Sequence, residues 1–186
     1  MSGPLGTLTG ALELAVEDPA SAPETLQLAT EAAAQMVLRV RLLRAAWAGD
    51  CGALSVPALA DLAAGLPPRI RVELGGLAGE FPAPMARVLI NMLLLAIEAL
   101  PRGGTISLSG AADGDVMLLV SGSPVAWPAG LALALADPLR APLDDPRGVQ
   151  GPLVAHLALE AGLRLSLLFA ASGFPAGAPP LLLSAD

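Results

Sequence analysis

"INMLLLAIEALPRGGTISL", from Ile90 to Leu108, decides how this chain is read. Its first eleven residues are apolar except for Asn91 and Glu98, so they read as a helix buried on most sides. Pro101 stops that helix, because proline lacks an N–H and its ring crowds the preceding turn. Gly103-Gly104 then supply a turn, and Thr105 to Leu108 alternate as a strand does. A core helix followed by a strand places this stretch in a helix-on-sheet domain. Within that helix stands the chain's only asparagine, Asn91, with Leu95 four residues later.

Composition narrows the classes around that stretch. The chain has 186 residues, 54% hydrophobic and 15% charged, which suits one large or two small domains with a real core and argues against disorder. Every basic residue is arginine, and lysine and tyrosine are absent. Residues with AT-rich codons are the scarce ones, as a GC-rich genome would produce, and the retained asparagine is the more notable for it. Net charge is −7 with no basic run, so no patch suited to nucleic acid is visible. One cysteine, Cys51, cannot form an internal disulfide, and no signal peptide is visible at Met1; both fit a cytoplasmic protein. Mean hydropathy is +0.67, yet Glu98, His156, Glu160 and Arg164 interrupt the apolar stretches. None supplies the roughly 20 apolar residues of a membrane span, so no membrane partner is expected.

Upstream, Leu5, Leu8, Leu12 and Val16 share one face of a helix over 4–16. Asp18-Pro19 ends it, and Ser21 with Glu24 fits a capping box. A second helix runs to Ala48. Leu26, Ala29, Ala33, Met36, Val40, Leu43 and Trp47 recur at alternating spacings of three and four, a bundle seam, and Leu28, Ala32, Leu38, Leu42 and Ala46 widen the apolar stripe. One hairpin cannot bury both faces, so a second copy is the simplest partner, and packing on the rest of the same chain is the alternative. Residues 1–50 form this helical hairpin, 51–68 a connector with a short helix over 57–64, and 69–186 an α+β domain. Its strands are expected at 70–74, 105–110, 115–121, 163–170 and 181–184, and its helices at 83–100, 128–136 and 151–161. Asp113-Gly114 reads as the hairpin turn.

That order of elements resembles the ATP-binding domain of histidine kinases, a Bergerat-type α/β sandwich. "NMLLLAIEAL" looks like their N box, a helix with Asn, two apolar residues, any residue, Asn, Ala. Asn91 stands at the first asparagine and Ala96 at the alanine, whereas Leu95 replaces the asparagine that ligates Mg²⁺ in that family. Leucine offers no oxygen to a hard cation. No Asp lies between Asp115 and Asp137 to accept a bond from adenine. "RGVQGPLVAHLALEAG" resembles the glycine-rich lid, with Gly148 and Gly151 kept. The resemblance therefore implies a degenerate nucleotide site at Asn91, Leu95, Gly148 and Gly151, with no nucleotide cofactor and no metal.

A helical hairpin ahead of such a domain resembles the ChpT-type histidine phosphotransferases of alphaproteobacteria. "SGPLGTLTGALEL", Ser2 to Leu14, matches the second half of their first-helix motif. The resemblance implies a homodimer whose hairpins form a four-helix bundle, with Leu5, Leu8, Leu12, Leu26, Ala33, Met36, Val40, Leu43 and Trp47 at the interface. It implies phosphoryl relay from the receiver domain of a hybrid histidine kinase to receiver domains of response regulators, which would dock at Gly3, Pro4, Gly6, Thr7, Gly10 and Glu13, with Ala11 exposed beside them. In the family the acceptor histidine precedes the Pro4 position, so it is expected just before Met1. His156, the only histidine, falls on the lid helix and reads as structural. Two other readings compete: an ATP-binding kinase or ATPase of the same fold, and a non-catalytic dimer that binds another protein.

Overall fold

The computed structural model describes residues 3–48, 51–141, 148–168 and 178–185. The chain opens with two helices, α1 (Pro4–Glu17) and α2 (Ala22–Trp47), packed as a hairpin. Proline near the start of each is tolerated because the first helical N–H groups have no partner in any case. The turn between them is not the expected capping box. The Ser21 hydroxyl donates to the Asp18 carbonyl at 3.0 Å, and the Asp18 carboxylate accepts from Ala20 N at 3.1 Å. With Ser21 committed to the turn, no side chain caps α2.

The α1 face turned toward α2 is centred on a small residue. Ala11 is its one buried residue, with Leu8 partly covered, while Leu5 (62% exposed), Leu12 and Val16 (82%) face outward. Small residues let the two helices approach closely, so the large apolar residues are left outside. Ala11 is thus removed from the exposed set in which the sequence placed it. On α2, Leu42 and Ala46 are fully buried and belong to the same core as the sheet, so part of the stripe does pack on its own chain. Leu26, Val40 and Trp47 are each about half exposed, and Ala33, Met36 and Leu43 are partly covered.

After the hairpin come β1 (Leu54–Ser55), α3 (Val56–Ala63), β2 (Ile70–Ala78), β3 (Glu80–Phe81) and α4 (Ala83–Ala99). The remainder is β4 (Gly104–Ala111), β5 (Val116–Ser121), α5 (Leu131–Ala136), α6 (Gln150–Glu160), β6 (Leu163–Leu167) and β7 (Leu181–Ala185). The Ser55 hydroxyl caps α3 by accepting from Ala58 N at 3.3 Å. The short β1–β3 pair escaped the sequence, because two residues carry no period. α5 starts three residues later than expected, at Leu131, whose N–H closes a turn on the Pro128 carbonyl. The end of the expected 163–170 strand lies outside the described residues.

The main sheet has the order β2-β4-β5-β7-β6, with β2 and β4 parallel and the other neighbours antiparallel. β2 runs beyond Leu74 because an irregularity between Glu73 and Gly76 lets it resume pairing with β4. Ile106, Leu108, Val116, Leu118, Val120, Leu181 and Leu183 turn inward to one core shared with α4 and α6. Arg71, Glu73 and Leu119 face outward, and Ser107 Oγ on that side donates to Glu73 Oε2 at 3.0 Å. The architecture is mixed α+β, a helical region followed by a sheet. Among the described residues no helix is long and apolar enough to cross a membrane.

Gly103 and Gly65 are two of the glycines that allow close approaches. Gly103, at φ +98, lies where a Cβ would come 2.5 Å from the Arg69 carbonyl, so the turn before β4 needs it. Gly65, just past α3, sits against α2, and a Cβ there would be 2.5 Å from the Leu38 carbonyl. Gly65→Ala must push α3 away from α2. We expect a loss of about 1–3 kcal/mol in denaturant unfolding, with a lower Tm and unchanged secondary structure by circular dichroism.

Candidate functional site

Two regions gather the residues that the sequence singles out. The first is the start of α1. Gly3 is the residue before the helix, and its carbonyl accepts from Thr7 N at 3.1 Å. Gly3, Pro4, Gly6, Thr7 and Glu13 are exposed and Gly10 is partly covered. Of these, Gly3, Pro4 and Thr7 also line one side of a groove of about 620 Å³ against α2 and the stretch after α3. Glycines at Gly6 and Gly10 leave the backbone approachable there.

The second region is built around Asn91 on α4. Its side chain is fully buried, and so is Leu95, one turn further on. The Asn91 amide nitrogen donates to the Ala46 carbonyl at 3.0 Å and to the Arg87 carbonyl at 2.9 Å. Its amide oxygen accepts from Gln150 Nε2 at 3.0 Å, and the same Gln150 nitrogen lies 3.1 Å from the Asn91 carbonyl. Ala46 is the second-last residue of α2, where carbonyls have lost their i+4 donors. Arg87 Nε also reaches the Ala46 carbonyl, at 3.4 Å. A single amide thus joins the end of α2, the middle of α4 and the first residue of α6. Only an amide can do this, since it donates twice and accepts once from one short side chain.

This geometry leaves no polar group free for a ligand at Asn91. Among the described residues, no buried side-chain nitrogen or oxygen lacks a partner. Gly151 is buried in the first turn of α6 against Leu131 of α5, and Gly148 lies in the turn just before. The structure therefore brings Asn91, Leu95 and Gly151 into one packed region, with Leu95 contributing only apolar bulk. Gln150, Arg87 and the Ala46 carbonyl are the partners that sequence reading missed. Gln150 did carry a signal, as a lone amide between Gly148 and Gly151 at the head of an apolar helix.

A third feature is a hollow of about 260 Å³ beside Cys51, Arg87 and Glu160. Burial pushes the Cys51 thiol up, and the nearby Arg87 guanidinium offsets this in part. The net rise keeps Cys51 a thiol at neutral pH, so it is not an activated nucleophile. His156 stands on α6, partly covered, with Nε2 3.3 Å from Glu160 Oε1. Among the described residues its side-chain partner is that carboxylate. No group of three or more metal-ligating side chains occurs among the described residues.

The Asn91 amide predicts its own mutational signature. Asn91→Ala removes the shorter partner of the Ala46 carbonyl and one of the two acceptors of Gln150 Nε2, at a cost of about 2–4 kcal/mol. Gln150→Ala removes one partner and costs less, about 1–2 kcal/mol. Because the two side chains touch, their double mutant should be less destabilised than the sum, by roughly 0.5–2 kcal/mol in denaturant titrations.

Comparison with known proteins gives three results. Among solved structures, the chain is similar to a bacterial phosphotransferase at a TM-score of 0.73 and 21% identity, covering 98% of this chain and 88% of that one, a likeness of fold. It is less similar to the mycobacterial sensor histidine kinase MprB, at a TM-score of 0.42 and 19% identity, over 62% of this chain and 80% of that one. No curated protein matches it. The sequence profile of the family described as the histidine phosphotransferase C-terminal domain matches residues 57–172. That match spans more than half of the chain and takes in α3 through β6, Asn91 and Gln150 included, so this chain belongs to the histidine phosphotransferase family.

Proposed function

We propose that this protein is a phosphorelay histidine phosphotransferase-like module, built on a dimerising hairpin and a kinase-like sandwich that has given up ATP. The observation that carries the reading is the Asn91–Gln150 contact in a chain whose family is known. The asparagine of a nucleotide-site helix is spent on protein groups, and a leucine fills the metal-ligand position. A domain without nucleotide cannot make phosphohistidine from ATP, so phosphate must arrive from another phosphoprotein. Receiver domains of a hybrid histidine kinase and of response regulators are the partners in this reading.

The transfer chemistry asks for a neutral imidazole. Its nitrogen attacks the phosphorus of an aspartyl phosphate, the P–N bond forms, and the carboxylate leaves. A second receiver's aspartate then attacks and restores the imidazole. His156 is a poor candidate because it is paired with Glu160 on the sheet domain. In this proposal the acceptor is a histidine in sequence ahead of Ser2, leading into the exposed Gly3-Pro4 start of α1. There two receivers could reach it in turn across Gly6, Thr7, Gly10 and Glu13.

The dimer is part of the same proposal. Leu5, Leu12, Leu26, Val40 and Trp47 are each about half exposed or more, and a second hairpin laid along them would complete a four-helix bundle. The two other readings stay distinguishable. An ATP-binding kinase requires a free polar site where Asn91 is now occupied. A non-catalytic binding dimer requires that no extended form accept phosphate.

Three outcomes are expected. Wild-type protein should be dimeric by light scattering at micromolar concentrations, and Met36→Asp with Val40→Asp should give monomers or aggregates, because charges would be buried on an apolar seam. Mg-ATP should show no saturable binding at micromolar concentrations in calorimetry, since losing a metal oxygen and the adenine-reading carboxylate removes contacts worth about 1.5–3 kcal/mol each. In a transfer assay with a labelled phospho-receiver, the 186-residue chain should stay unlabelled. A form extended upstream with a histidine before Ser2 should take up acid-labile label, and its His→Ala variant should not. Label on the 186-residue chain that disappears with His156→Ala would overturn the site assignment.

A further inference from the structure

A groove of about 620 Å³ runs between the hairpin and the connector that leads into the sheet. Its volume lies in the range of ligand pockets, roughly 300–1,000 Å³. One wall is α2, through Leu28, Ala32 and Arg39; a second is the stretch after α3, through Leu66, Pro67 and Arg69; the start of α1, through Gly3, Pro4 and Thr7, forms the third side. The floor is apolar, because Ala32 and Leu66 are buried and Pro67 is partly covered. Arg39 and Arg69 stand against a single carboxylate in the lining, Glu31, which accepts from Gln27 at 3.1 Å. Among the described residues neither arginine forms an ion pair. In a chain of net charge −7 this is a local positive site over an apolar floor.

Along α2 the groove positions 28, 32, 35 and 39 each precede a seam position, 29, 33, 36 and 40, by one residue. One residue on a helix is a rotation of about 100°, so the groove is centred to one side of the seam. The groove also joins both parts of the chain, so an occupant would touch the hairpin and the sheet domain at once.

We propose that this groove binds an acidic, apolar-tipped segment of another protein. One apolar side chain lies on the floor between Leu28 and Leu66, and flanking carboxylates pair with Arg39 and Arg69. Arginine suits that role because its planar fork binds a carboxylate through two parallel N–H groups. Gly3, Pro4 and Thr7 make the groove a neighbour of the surface proposed above for receiver docking, and the inference itself rests on Arg39, Arg69 and the apolar floor.

The test uses the whole chain and short fluorescent peptides in anisotropy titrations: one of Glu and Leu residues, one with Lys for Glu, and one with Ser for Leu. The Glu-Leu peptide should bind saturably, with affinity falling as salt rises. Arg39→Glu and Arg69→Glu should each weaken it about tenfold or more, the cost of a lost charge-assisted pair. The Ser-for-Leu and Lys-for-Glu peptides should bind more weakly than the parent by a similar factor. Equal affinity for the Lys peptide, unchanged binding by both arginine variants, or no saturable binding would overturn the proposal. So would a change of oligomeric state in the arginine variants, which would make the groove an interface between copies. A positive transfer assay with a failed peptide titration removes this inference alone.

Discussion

The Asn91 side-chain amide is the constraint on which the arrangement of this protein depends. It sits in full burial on α4, where an unpaired polar group would be strongly unfavourable. Its two donors and one acceptor meet the end of α2, the turn above on α4 and the head of α6. The Ala46 carbonyl, orphaned by the end of its helix, gains the partner it needs there. This fixes where the hairpin stops relative to the sheet, since Leu42 and Ala46 enter the shared core at the same place. A buried network that is fully satisfied specifies one arrangement more strongly than apolar contact does.

The same constraint bears on function. A helix that offers an asparagine to a nucleotide must leave that side chain exposed to a cleft. Here Gln150 occupies it, and Leu95 makes the next turn part of the core. In the function proposed above the sheet domain serves as a scaffold and the chemistry lies on the hairpin, whose outer residues are large, apolar and exposed and whose α1 start is small and open.

Much of this was legible in the sequence where one period or one stop signal dominated. The α4 helix, the Gly103-Gly104 turn and β4 follow from the stretch beginning at Ile90, because its apolar run, proline and glycines all agree. β5, β7 and α6 were legible for the same reason. Tertiary geometry hid the rest. Ser21 looked like a cap, but the Asp18 turn claims its hydroxyl. Ala11 looked exposed, but it is the buried residue of α1. Leu42 and Ala46 looked like an extension of the bundle seam and are core residues of the sheet domain. As for the site, Asn91 and Leu95 stood out from residue type alone. Gln150 as a partner across 59 positions of sequence could not, because no local pattern encodes a contact that distant.

The account's central claim is that Asn91 is spent inside the protein. As the chain's only asparagine, it gives one side-chain amide signal when the protein is grown with nitrogen-labelled asparagine. Solvent exchange of those two amide protons, followed by NMR, measures its burial and bonding directly. Protection comparable to core backbone amides, from donation to the Ala46 and Arg87 carbonyls, is the result predicted. Exchange as fast as that of a solvent-exposed amide in the native protein would contradict it, and would return Asn91 to the role of an open, ligand-facing residue.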